Sequence, residues 1–222
     1  MRSNSDPSVH RPAPGDPAAG VPAERDKPLS FIEAARRKQI VDTAIKTIAD
    51  RGYQRTSLAE IAREAGISKG VISYHFDGKD NLVEAVLARL LKEPADYIKR
   101  RVDAADRAID KLRAYIRANF EFMKTHRDNY VALVDMWGGQ KSPAGGNSFN
   151  ANAYEPSRNY LRQILEMGQA NGAFREMPLD AVASTIQGAI DGVMLQWVFD
   201  RNAVHLDKSC EEICQMISRH VR

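Results

Sequence analysis

The segment Lys69 to His75, KGVISYH, gathers an ammonium, an alcohol, a phenol and an imidazole within two turns of chain. On a helix, Val71, Ile72 and Phe76 would face a core, leaving Lys69, Gly70, Ser73, Tyr74 and His75 outward. Groups of these kinds neutralise phosphates and hydrogen-bond base edges, the chemistry of a helix lying in the DNA major groove. Lys69 and His75 suit phosphates, and Tyr74 suits a phosphate or a base. Gly70 lets backbone approach a duplex closely. Val71 can offer a methyl to a thymine, in competition with a core role.

Catalytic chemistry has no comparable foothold. The five histidines, at 10, 75, 126, 205 and 220, are spread without pairing. No Ser–His–Asp order, metal-ligand spacing or glycine-rich phosphate loop stands out. No catalytic residue, metal or cofactor is therefore expected. Cys210 and Cys214 lie one helical turn apart, poor geometry for bridging one another and too few ligands for zinc. They are read as inert thiols in a reduced compartment.

Two short helices around a tight turn must position the outward arc. Leu58, Ile61, Ala62 and Ala65 make one apolar stripe at helical spacing. Ser57 can cap that helix, and Glu60, three residues on, completes a capping box. Gly66 stops it in a left-handed turn, and Ser68 caps a second helix running through about His75. Helix starts present free N–H groups that also suit a phosphate, so Thr56, Ser57 and Ser68 are candidate DNA contacts as well as caps. Lys69 and Lys79 bracket the second helix of the pair, and Arg36, Arg37 and Lys38 cluster at the start of the chain's first helix. This placement matters because Glu33 to Asp80 holds nine Lys/Arg against seven Asp/Glu, and the whole chain is only +3.

The remaining chain of 222 residues reads as helical throughout, with 43% hydrophobic and 27% charged residues, as in an ordinary soluble protein. Residues 1–28 hold six of the ten prolines and show no periodicity, so 1–29 is expected to be a disordered arm. A first helix begins near Ser30 and ends at Gly52. A fourth begins near Asp80, with Pro94 expected to break or kink it. Further helices are expected over about 106–126, 128–137, 154–171, 179–200 and 207–220, with a flexible loop at 138–150. The fold class is all-α. No membrane span or secretory core is apparent, so a cytoplasmic home is expected.

From about Arg37 to Leu82 the chain resembles the DNA-binding domain of the tetracycline-repressor (TetR) family. Ile40, Ala44, Gly52–Tyr53, Thr56–Ser57, Ile61–Ala62, Ala65–Gly66–Ile67–Ser68–Lys69–Gly70, Tyr74–His75–Phe76 and Lys79 carry the match. Ser73 departs from it, standing where many members place an aromatic. The resemblance implies a helix-turn-helix head over 30–80 and an effector-binding and dimerisation domain over 81–222. It implies a homodimer paired through its last two helices, reading a roughly palindromic double-stranded operator, and released by an unknown small-molecule effector. The sign of regulation, repression or activation, stays open.

Phe120, Met123, Tyr130, Met136, Trp137, Met167 and Met194 lie on the later helices. Singly each suits plain core packing; together they make an adaptable apolar pocket. Gln187 and Asp191 sit one turn apart in an otherwise apolar helix and need partners, either in a dimer contact or in a cavity. Asp135 and Glu166 are candidate cavity acids, which would favour a cationic effector. The rival reading is a regulator controlled by a partner protein, without a pocket.

Overall fold

The computed structural model describes residues 30–139 and 151–222; the proline-rich arm and residues 140–150 of the expected loop lie outside them. Ser30 sets the start of α1 (Phe31–Arg51), its hydroxyl accepting the Glu33 N–H while the Glu33 carboxylate takes the Ser30 N–H. Gly52, at φ 87°, closes the helix in a conformation other residues rarely adopt. One 3-10 turn at Tyr53–Arg55 leads to α2 (Leu58–Glu64) and α3 (Lys69–His75). Ser57 and Glu60 form the expected capping box on α2. Then follow α4 (Gly78–Asp103), α5 (Ala108–Thr125), α6 (Arg127–Gly139), α7 (Glu155–Ala170), α8 (Leu179–Phe199) and α9 (Leu206–His220). Among the described residues there is no strand, and no helix is long and apolar enough to cross a membrane.

Two cores form. The head core joins Ile40, Ala44 and Ile48 of α1 to Ile61, Ile72 and Phe76, and it does not stop at residue 80. Leu82, Val83, Val86 and Leu90 of α4 and Ala132 and Met136 of α6 complete it. The body core packs α5, α7, α8 and α9, with Ile98 and Val102 from the far half of α4. Cys210 and Cys214 are buried there as free thiols.

Of the break or kink expected at Pro94 in α4, the break does not occur: the helix runs unbroken across it. Proline has no N–H to give the Leu90 carbonyl, a local cost. Apolar side chains on both sides of Pro94 are each buried in a core, and burial at on the order of 1.5–3 kcal/mol per large side chain outweighs it.

Candidate functional site

Ile72 and Phe76, almost wholly buried, anchor α3 to the head and turn its other side to solvent. Ser68 caps it, its hydroxyl accepting the Val71 N–H at 3.4 Å. Lys69, Gly70 and Ser73 are exposed, Val71 and His75 are half-buried, and Tyr74 is 74% exposed. Partial burial, then the Arg37 guanidinium, hold the His75 imidazole below its ordinary value. At pH 7 it is a neutral hydrogen-bonding group rather than a cation.

Several residues expected at the DNA are occupied within the head. Thr56 is 3% exposed, and its hydroxyl donates inward to the Gly52 carbonyl at 2.8 Å. Its side chain is therefore not presented to a duplex, and only Ser57 of that pair is exposed. Lys79 Nζ donates to the Thr56 carbonyl at 2.7 Å and lies 4.8 Å from the Tyr53 ring centroid. Arg37 donates to the His75 carbonyl at the end of α3 and stacks 4.2 Å from the Phe76 ring. The physical reason is common: a backbone carbonyl left unsatisfied near a helix end costs about 1–3 kcal/mol, and the nearest donors satisfy it first. Lysine and arginine carry further N–H groups, so both can still reach a phosphate.

Asp135, expected in the cavity, faces the other way. Its carboxylate accepts the Tyr53 N–H, just past Gly52, and so ties α6 to the turn between α1 and α2. Met136 goes with it into the head core. Glu33 was not singled out for function, yet it accepts the Tyr74 hydroxyl at 3.2 Å from 41 residues away. No spacing rule in the sequence connects either pair.

A cavity of about 110 Å³ opens between α4, α5, α6 and α8. Met123, Tyr130, Trp137, Gln187, Asp191 and Met194 line it as expected, joined by Tyr154, Asn119 and the α4 segment around Pro94. Phe120 is instead packed in the body core, Met167 is 39% exposed on α7, and Glu166 is exposed. A relay holds the polar end: Tyr115 donates to Gln187 Oε1 at 2.7 Å, and Gln187 Nε2 donates to Asp191 Oδ1 at 2.9 Å. Burial lifts the Asp191 pKa to about 6, against hydrogen bonds from Gln187 and Tyr154. No lysine or arginine lines the cavity among the described residues. One carboxylate thus stands amid the aromatic side chains Tyr130, Trp137 and Tyr154.

On α8 and α9, Phe199 is 75% exposed, Met216 62% and Leu195 38%.

The family model for bacterial regulatory proteins of the tetR family matches residues 40–86, and that for the BetI-type transcriptional repressor C-terminal domain matches 108–221, just over half the chain. The chain belongs to the TetR family. This TetR-family chain is 32% identical over 112 residues to the HTH-type transcriptional regulator BetI of Cronobacter sakazakii, covering 50% of this chain and 55% of that one. It thus spans about half the length of that curated relative. Two solved structures share the fold. One, from Saccharomonospora viridis, is described as a transcriptional regulator in complex with choline, with TM-score 0.74, 23% identity and coverage of 85% and 98%. The other is the regulator FadR of Bacillus subtilis in complex with stearoyl-CoA, with TM-score 0.71, 20% identity and coverage of 83% and 99%.

Proposed function

We propose that this TetR-family chain is a dimeric, operator-binding transcriptional repressor released by a compact cationic effector. One observation carries the DNA-binding half: α3 is pinned by Ile72 and Phe76 while Lys69, Gly70, Ser73 and Tyr74 stand in solvent. The apolar surface of Leu195, Phe199 and Met216 supports pairing through α8 and α9, which would set two copies of α3 about 34–36 Å apart on successive major grooves. With chromosomal DNA as partner, the protein acts in the cytoplasm.

Asp191 and the size of its cavity support the choice of effector. A volume of about 110 Å³ falls well below the roughly 300–1,000 Å³ of pockets for drug-sized ligands, so a long acyl chain would need the helices to part. A quaternary ammonium of choline's size matches both the charge and the ring faces. Control by a partner protein alone would leave such an acid-bearing cavity without a role.

Helix α6 supplies the mechanism. Tyr130, Leu133 and Trp137 face the cavity, while Asp135 and Met136 hold the head. An effector that prefers a different α6 position shifts the spacing of the two heads and draws population from the operator-bound state. The purified full-length protein should retain a defined duplex from a random pool, and choline should weaken that binding. Asp191→Asn should keep the duplex and ignore choline. Retention of no duplex would sink the regulator reading; release by an acyl-CoA but not by choline would replace the effector.

A further inference from the structure

Glu33 lies in the first turn of α1, where its carboxylate completes the Ser30 cap. Oε2 accepts the Ser30 N–H at 2.9 Å and the Ser30 hydroxyl at 2.8 Å, which orients the carboxylate, and Oε1 accepts the Tyr74 hydroxyl at 3.2 Å. Tyr74 is 74% exposed, and its ring makes an edge contact with His75 at 5.0 Å. A phenol so exposed would otherwise sample several rotamers. The Ser30 backbone N–H, then its hydroxyl and Tyr74, hold the Glu33 carboxyl below the usual range, so the acceptor is ionised at neutral pH and the bond is charge-assisted. The same charge stands beside α3, where it repels any phosphate whatever the base sequence. Specificity is a difference of affinities, so a repulsion that every duplex meets equally cancels from it and only lowers affinity; discrimination comes from the contact that a positioned Tyr74 makes with one sequence and not another.

We propose that Glu33 determines specificity in DNA binding by positioning the Tyr74 hydroxyl for the operator, while its carboxylate lowers affinity for every duplex alike. The proposal rests on the DNA-binding reading above. Its test measures affinity by fluorescence anisotropy for the duplex that the wild-type protein selects from a random pool and for a scrambled duplex of equal length, across a salt series. Glu33→Ala should gain about twofold on the scrambled duplex, the gain fading as salt rises, and lose about two- to threefold on the selected one, where that relief offsets part of a fivefold loss worth about one net hydrogen bond. Tyr74→Phe, which leaves the cap intact, should lose about fivefold on the selected duplex, and the double variant should lose no more than either alone. Glu33→Gln keeps an acceptor oxygen and a capping box but not the charge, so it should keep the preference for the selected duplex and gain about twofold on both. Multiplying losses in the double variant would overturn the positioning role. Equal loss on both duplexes in Glu33→Ala, with Glu33→Gln like wild type on both, would reduce Glu33 to a helix cap. A wild-type protein that selects no duplex would remove the DNA-binding reading, and this proposal with it.

Discussion

Asp191 can hold a cation only as a carboxylate, which gives its chemistry a pH dependence of known sign. Its pKa of about 6 in the fold stands above the roughly 3.9 of an unfolded chain, so the folded protein holds the proton more tightly. The empty protein therefore loses stability as pH rises through about 6, and by pH 8 the ionised group costs on the order of 2–3 kcal/mol. Asp191→Asn should melt above wild type at pH 8 and lose that advantage at pH 4, as differential scanning calorimetry can show. Choline affinity should run the opposite way, rising with pH across the same window; a flat titration-calorimetry profile between pH 5 and 8 would take Asp191 out of cation binding. The two lysines at the head separate by a similar comparison. Lys69 is exposed, so Lys69→Ala should weaken all duplexes and flatten the salt dependence without changing the melting point. Lys79 is bonded to the Thr56 carbonyl, so Lys79→Ala should also cost about 1–2 kcal/mol of stability, read from denaturant unfolding.

Among the elements, α6 has two working sides. Asp135→Ala should leave duplex binding and choline binding each within a few-fold of wild type, yet shrink the effect of one on the other. Coupling free energies of this kind run about 1–3 kcal/mol, so a change from tenfold to under threefold release would be easily read by anisotropy. Undiminished release would place the coupling elsewhere. Such sidedness marks where sequence reading stops. The helices themselves were legible because apolar residues recur at helical spacing and because Ser30–Glu33, Ser57–Glu60 and Ser68 announce their starts locally. Gln187 and Asp191 were legible as polar groups in an apolar helix that needed an enclosed partner. Met123 and Met136 carry the same side chain at helical positions, yet one lines the cavity and the other fills the head core, a difference set by tertiary packing alone. Pro94 does not break α4 because the local backbone rule competes with burial on both sides, and burial prevails. The inward turn of the Thr56 hydroxyl was not legible, because it depends on the Gly52 carbonyl that the tertiary turn brings within reach.

For the molecule as a whole, the exposed apolar surface on α8 and α9 is the feature with the widest reach. Phe199→Asp combined with Met216→Asp should convert the protein to a monomer by analytical ultracentrifugation and cost most of its operator affinity, since one head then binds alone. A double variant that stays dimeric would move the interface off this face. The unbroken α4 has a different consequence, for anyone who tries to cut the protein. A fragment ending at residue 80 would forfeit Leu82, Val83, Val86 and Leu90 from the head core, on the order of 6–12 kcal/mol of burial, against a net stability of about 5–15 kcal/mol for a domain. Met136 and Ala132 of α6 would go as well. The recognition unit is therefore not a detachable cassette, and a chimera that grafts this head onto another body must carry α4 through Leu90 and bring a matching α6, or its two halves will melt apart.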